Sequence, residues 1–293
     1  MRTQVGIVGA GPAGLMLGQL LHLEGIDSVI VENRSSDHVI ERVRAGVLEH
    51  GSVRLLADAG VGSRLEREGM RHRGLSLCFS GRRHRIDLEA LTGGRCITVY
   101  GQNEVVKDLI AARRATGAPL HFGVDGVAIA DFDTDHARIR CRIDGRDEEV
   151  VCDFLAGCDG FHGVTRASVS PNAYLAYERT YPFGWLGILA EAAPSSDELV
   201  YALHERGFAL FSMRSSTVTR LYLQVAADES LDPWTDDRIW EELCARFAGD
   251  DGWTPVRGAI WQKGVTGMRS FVIEPMRFGR LFLAGDAAHI VPP

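Results

Sequence analysis

Gln4-Val5-Gly6-Ile7-Val8-Gly9-Ala10-Gly11-Pro12-Ala13-Gly14 is the stretch on which the fold turns. A short apolar run ends on three glycines spaced G-x-G-x-x-G, and Leu15, Leu17, Leu20 and Leu21 then repeat at helical spacing. Gly9 suits the tight turn, Gly11 the close approach of a pyrophosphate to the backbone, and Gly14 the close packing of helix on sheet. Free N–H groups at the helix start attract the phosphate. Alone the motif is weak. Here a strand precedes it, a helix follows it, and Ser28 to Glu32 reads as a second strand ending on a carboxylate eighteen residues after Gly14. Glu32 taken singly is an ordinary surface acid, but at this place it can accept hydrogen bonds from a ribose. Strand, turn, helix and strand make a βαβ unit with parallel strands, so the expected class is α/β with a Rossmann-like, doubly wound first domain.

The totals agree with this. The 293 residues are 45% hydrophobic and 24% charged, the makeup of a soluble globular chain able to hold two domains around substantial cores. Lys and Arg number 32 against 39 Asp and Glu, and the net charge of -7 speaks against a nucleic-acid partner or an anionic membrane. On such a surface a carboxylate ligand needs its own arginine. The apolar N-terminal run breaks at glycine and proline, so it is neither a signal peptide nor a membrane span, and a cytoplasmic protein is expected. The six cysteines are scattered without a CxxC pair, which argues against zinc and against a disulfide scaffold. No metal site is expected.

Further along, Glu104 to Ala115 reads as a helix and residues 124–155 as a strand meander running into Gly157-Cys158-Asp159-Gly160. Beyond Pro171 aromatics accumulate on strand-like segments, among them Tyr181, Phe183, Trp185, Tyr201, Phe208, Phe211 and Tyr222. These imply a second, mainly antiparallel β-sheet domain. Arg280 to Asp286 returns to the first style, a buried strand entering a glycine turn. The expected division is 1–175 for the dinucleotide domain, 176–270 for a substrate domain, and 271–293 for the return.

Phosphate binding alone does not separate FAD from NAD. Asp159-Gly160 and Gly285-Asp286-Ala287-Ala288-His289 each follow an apolar strand, where an aspartate can hold ribityl hydroxyls and small neighbours admit the cofactor. Either fragment alone is a common turn dipeptide. Together with Arg42-Val43-Arg44-Ala45-Gly46, Tyr100-Gly101-Gln102, Phe161-His162-Gly163 and Tyr181-Pro182-Phe183-Gly184-Trp185, they make the chain resemble the FAD-dependent aromatic hydroxylases of the 4-hydroxybenzoate 3-monooxygenase family over essentially its whole length. The resemblance implies that Arg42, Arg44, Gln102, Asp159 and Asp286 hold FAD beside the glycines and Glu32, with Arg220 near the flavin ring. It implies a nicotinamide-nucleotide face at His162, Arg166 and Arg269, each of which singly reads as a solvated cation. Asn33 and His38 stand where NADPH-specific members carry arginine and tyrosine. Loss of a cation there weakens a 2′-phosphate site and tilts the expected NAD(P)H co-substrate toward NADH.

A pocket can be argued in part from the residues themselves. Phe208 to Arg214 alternates like a strand, so Ser212 and Arg214 share a face, and Arg220 and Tyr222 repeat the spacing after the Ser215-Ser216-Thr217 turn. A guanidinium fork with a hydroxyl suits a carboxylate, and aromatic neighbours suit a benzene ring. Without the resemblance, a polar hairpin face is usually only wet. With it, Ser212, Arg214 and Tyr222 are implied to bind the substrate carboxylate and Tyr201 the phenol, while His72 is the outer end of a proton relay. Pro293 matches a proline among the catalytic positions. The implied reaction converts 4-hydroxybenzoate to 3,4-dihydroxybenzoate with FAD, NAD(P)H and O2. Phe211 and Met213, flanking Ser212, are expected to shape the pocket and leave other hydroxybenzoates open as substrates. The rival classes are an NAD-dependent dehydrogenase and a silent flavin-binding module. The family continues past the matching proline into a helix facing the flavin and a dimer contact. The 293 residues alone are therefore expected to be inactive or poorly folded, with activity and a homodimer belonging to a longer parent.

Overall fold

A computed structural model describes residues 1–41 and 46–292. The chain opens on β1 (Arg2–Val8), α1 (Pro12–Leu23) and β2 (Ser28–Val31), then α2 (Ser36–Glu41), β3 (Val47–Leu48), α3 (His50–Asp58) and α4 (Ser63–Glu68). Next come β4 (Met70–His72), β5 (Gly74–Phe79), β6 (Arg82–Asp87), α5 (Leu88–Thr92), β7 (Ile97–Val99) and α6 (Gln102–Ala115). The meander is β8 (Leu120–His121), β9 (Asp125–Ala130), β10 (Ala137–Ile143) and β11 (Arg146–Gly157), followed by α7 (Val164–Ala167). The remainder is β12 (Leu175–Glu191), β13 (Leu199–Ala202), β14 (Ala209–Met213), β15 (Thr219–Ala226), α8 (Asp236–Phe247), β16 (Ala259–Glu274), β17 (Arg277–Phe278), β18 (Leu281–Leu283) and β19 (His289–Ile290).

In the first sheet β18, β11, β1, β2 and β8 lie side by side and parallel. All four residues of β2 are buried, as befits a strand covered on both faces. One face packs Ile7, Ile30 and Ala156 against α1 and α6 through Leu15, Val106, Leu109 and Ile110. The other packs Val29, Val31 and Leu155 against Ile139, Val150 and Leu281. The first half of β11 is hairpinned to β10, and its last turn of strand is handed to β18.

The second sheet runs β19-β16-β12-β15-β14-β13-β5-β6 and is antiparallel except where β13 pairs with β5. Its apolar face, with Leu186, Ile188, Val200, Phe211, Leu221 and Leu223, is covered by Ile239, Trp240, Leu243 and Phe247 of α8. Those four fall on one helical stripe, and Thr235 caps the helix by accepting from the Arg238 N–H, with Asp236 and Asp237 in the first turn. The β5–β6 hairpin, inside the stretch 1–175, thus adds to the second sheet. A third, small sheet runs β3-β7-β4. Among the described residues no helix is long and apolar enough to cross a membrane.

Candidate active site

Val31, Val8, Gly157 and Leu283 end four parallel strands at one level. Beyond them the chain makes its turns: Gly9 N–H donates to Val31 O, Cys158 N–H to Val8 O, and Ala284 N–H to Gly157 O, at 2.8, 2.8 and 2.9 Å. Gly9 has φ +106°, and a Cβ there would lie 2.3 Å from Cys158 O; one on Gly14 would lie 2.0 Å from Gly9 O. A Cβ on Gly11, by contrast, would meet nothing within 4 Å. Two glycines are therefore filled in by neighbouring backbone, and the third faces open space at the first turn of α1. The turn after β18 closes onto the same helix end, since a Cβ on Gly285 would touch Ala13 Cβ at 3.0 Å. Asp286 beside it is exposed.

Of the three strand-end acids, two are already engaged by the protein. Glu32 accepts from the Ala10 N–H at 2.8 Å and the Arg34 N–H at 2.9 Å, so it braces the glycine turn. Asp159 accepts from the Thr165 N–H at 2.9 Å and from the Thr165 hydroxyl at 2.5 Å, which satisfies donors at the start of α7. His162, Arg166 and Arg269 come together around Phe161: His162 meets the ring edge-on, and the two guanidinium groups lie 4.3 and 4.7 Å from its centroid. Arg166 also donates to Ala287 O and to Phe161 O, and Arg269 lies 4.0 Å from Glu178. Asn33 and His38 are exposed after β2, on the far side of β1 from that group.

The second sheet's other face carries the polar set. Cross-strand register puts Tyr201, Leu210, Tyr222 and Gly187 in one row and Ser212, Arg220 and Leu189 in the next, and directly opposed residues share a face. The hairpin between β14 and β15 closes with the Arg214 N–H on Val218 O at 2.8 Å, and Ser215 Oγ accepts from the Thr217 and Val218 N–H groups. The Arg220 guanidinium lies 5.1 Å from the Tyr222 centroid, and Trp185 and Phe208 complete an aromatic wall with Tyr201 and Tyr222. Burial pushes the Tyr201 phenol up. Burial, then Arg220, lowers the Arg214 pKa, while Tyr222 and Glu104 act the other way. The partner of Arg214 is neutral: Nη2 donates to Asn103 Oδ1 at 2.7 Å, and among the described residues no carboxylate is within ion-pair distance of it. Gly46 and Gly101 lie against the same guanidinium.

Phe211 and Met213 do not shape this pocket. They alternate to the opposite face, where Phe211 is fully buried under α8 and meets Trp253 edge-on; Leu210 is the apolar residue of β14 on the polar face. His72, in β4, is fully buried, and among the described residues neither ring nitrogen has a hydrogen-bond partner. Burial lowers its pKa against the pull of Glu198 and Asp197. Gln102 opens α6 half-buried, next to Gly101. Arg42, Arg44 and Pro293 lie outside the described residues.

Residues 2–293 match the family of the FAD binding domain. The chain is 50% identical over 293 residues to the p-hydroxybenzoate hydroxylase of Acinetobacter baylyi, covering all of this chain and 72% of that protein. The chain belongs to the FAD-dependent aromatic hydroxylases. A more distant relative, the rifampicin monooxygenase of Rhodococcus hoagii, is 30% identical and is covered over 59% of its length. Several curated 3-(3-hydroxy-phenyl)propionate/3-hydroxycinnamic acid hydroxylases are covered over about half of theirs. The p-nitrophenol 4-monooxygenase PnpA from Pseudomonas putida shares the fold at a TM-score of 0.84 and 18% identity, covering all of this chain and 74% of that one.

FAD is the cofactor of this family member, and the strand-end crevice fits it. Backbone fills the positions of Gly9 and Gly14, and room is left at Gly11 where a pyrophosphate would meet the helix start. Two residues escaped the sequence. Thr165 could have been suspected from the D-x5-T spacing after a strand. Asn103 carries no signal, because its partner is 111 residues away.

Proposed function

We propose that the protein hydroxylates 4-hydroxybenzoate at the carbon ortho to its phenol oxygen, giving 3,4-dihydroxybenzoate, with NAD(P)H and O2 as co-substrates. The observation that carries the reading is the half-buried guanidinium of Arg214, held by a neutral amide on a sheet face that also presents Ser212, Tyr222 and Tyr201. A desolvated cation without a carboxylate favours an anionic ligand, and the fork of Arg214 suits a carboxylate. Ser212 and Tyr222 supply hydroxyls beside it, and the ring lies along the wall of Trp185, Phe208 and Tyr201. The phenol then meets the half-buried Tyr201, whose hydroxyl holds the proton network at the substrate oxygen and helps it ionise; electron density thereby moves onto the neighbouring ring carbon. His72, neutral and buried with open ring nitrogens, is placed in the reading as the outer proton acceptor. Bound FAD supplies the oxygen-activating redox chemistry.

In the same reading Gly9, Gly11, Gly14, Glu32, Arg42, Arg44, Gln102, Asp159, Arg220 and Asp286 form the FAD site. His162, Arg166 and Arg269 meet the nicotinamide nucleotide. Asn33 in place of a cation favours NADH. The first sheet with its helices makes the FAD domain and the second sheet the substrate domain, in a cytoplasmic homodimer. The test is NADH and NADPH oxidation by the flavin-loaded protein with 4-hydroxybenzoate, 3-hydroxybenzoate and no aromatic substrate, with 3,4-dihydroxybenzoate quantified. Product matching NADH consumed supports the reading. Flavin reduction without 3,4-dihydroxybenzoate removes the substrate, and a strong preference for NADPH removes the coenzyme assignment.

A further inference from the structure

We propose that Asn103 is the positioning residue that aims the Arg214 guanidinium at the substrate carboxylate. The inference rests on the reading of Arg214 as the carboxylate ligand. Asn103 Oδ1 accepts from Arg214 Nη2 at 2.7 Å, and Asn103 Nδ2 donates to Glu104 Oε1 at 2.9 Å. The second bond fixes the sense of the first. Against the burial that would raise it, Lys107 and Arg64 hold the Glu104 carboxyl below the usual carboxylate range. Lys107 Nζ lies 2.8 Å and Arg64 Nη1 2.5 Å from Glu104 oxygens. Glu104 is therefore ionised and only accepts. Turning the Asn103 amide over would set its oxygen against that carboxylate and its NH2 against the guanidinium, two repulsions at once. The amide is locked with its acceptor toward Arg214.

The slot around the guanidinium is equally definite. A Cβ on Gly101 would come within 2.5 Å of Nη2 and 2.8 Å of Cζ, and one on Gly46 within 2.6 Å of Nη1. The planar group thus lies against two stretches of bare backbone beside the small β3-β7-β4 sheet while its stem rises from the second sheet. Arg214 follows the end of β14, where a long side chain has many rotamers, so an acceptor at one edge decides which way the fork points. Asn103 does this without charge. A carboxylate in its place would compensate the guanidinium and compete with the substrate anion.

The experiment measures dissociation constants of 4-hydroxybenzoate and its neutral analogue 4-hydroxybenzamide for the FAD-loaded protein, by flavin absorbance, in wild type, Asn103→Ala and the near-isosteric Asn103→Asp. Losing one hydrogen bond to a charged group predicts about tenfold weaker carboxylate binding in Asn103→Ala. The benzamide constant is expected to stay within about twofold, since the change acts through the charge-assisted contact and not through the pocket walls. Asn103→Asp is expected to lower the carboxylate-to-amide preference as well. A merely structural role would shift both ligands together. An unchanged preference in flavin-retaining variants, or tighter carboxylate binding by Asn103→Ala, overturns the inference. Wild type that does not distinguish carboxylate from amide instead overturns the reading of Arg214 on which it rests.

Discussion

In the proposed function the glycine crevice takes FAD and the polar sheet face takes the aromatic substrate, and the two are built in opposite ways. The crevice is shaped by side chains that are missing: Gly9 and Gly14 are packed by backbone, and Gly11 stands open. On the sheet the polar groups are side chains that are present, each set by its place in an antiparallel register. A site of the first kind fails as a whole when an atom is added. One of the second kind degrades group by group.

The largest test of that contrast is Gly14→Ala. Its Cβ would sit 2.0 Å from Gly9 O, a main-chain atom with nowhere to move, so the protein is expected to purify without FAD absorbance. Full flavin content would break the comparison. Tyr201→Phe follows: the sheet keeps its ring packing, substrate still binds and flavin is still reduced, but hydroxylated product per NAD(P)H falls by roughly 10²-fold, the scale of lost proton-transfer catalysis. Unchanged yield would remove Tyr201 from the chemistry. Arg214→Ala is expected to weaken 4-hydroxybenzoate binding by tens of fold, on the order of one charge-assisted fork, with less change in turnover at saturation. Normal affinity would overturn the carboxylate's placement.

Gly101→Ala tests the place where the two regions meet. The added Cβ would press on the tip of the Arg214 side chain, which can yield, and on Asn103 Oδ1. Several-fold weaker carboxylate binding with an unshifted melting temperature is expected. The smallest effect concerns His72. Because burial depresses its pKa, the folded protein keeps it neutral while the unfolded chain protonates it near its ordinary 6.5. Its contribution is fully present above that value and is lost as pH falls below about 6.5. Thermal melts at about pH 7.5 and 5.5 should therefore show a smaller acid loss in His72→Asn than in wild type, and an equal loss would show that other groups set the slope.

How much could be read from the sequence follows from the same contrast. The crevice is local, a strand, a glycine turn and a helix within Gln4 to Leu23, so spacing alone exposes it. The polar face needed only the two-residue alternation of Ser212 with Arg214 and of Arg220 with Tyr222, and the turn at 215–217 brings them together. Alternation alone does not say which face a helix covers: Phe211 lies on the covered face, and the cover is α8, which comes after it in the chain. The strand-end acids show a different limit. Sequence places Glu32 and Asp159 at the crevice, but backbone geometry decides that they also brace Ala10 and Thr165. Asn103 and the membership of β5–β6 in the second sheet depend on contacts more than a hundred residues apart, beyond any local pattern.

The pairing of β5 with β13 also sets an order on synthesis. Leu75 lies opposite Leu199, and Thr3 opposite Cys152, so both sheets join strands made early to strands made late. The β5–β6 hairpin is made more than a hundred residues before the strand that covers its inner edge, and the glycine turn well before Cys158 that closes beneath it. Such separations slow folding and leave strand edges exposed to the wrong partner in the meantime. The charged fringe of β6, with Arg82, Arg83 and Arg85 on the hairpin's outer strand, is the kind of edge that discourages that partner.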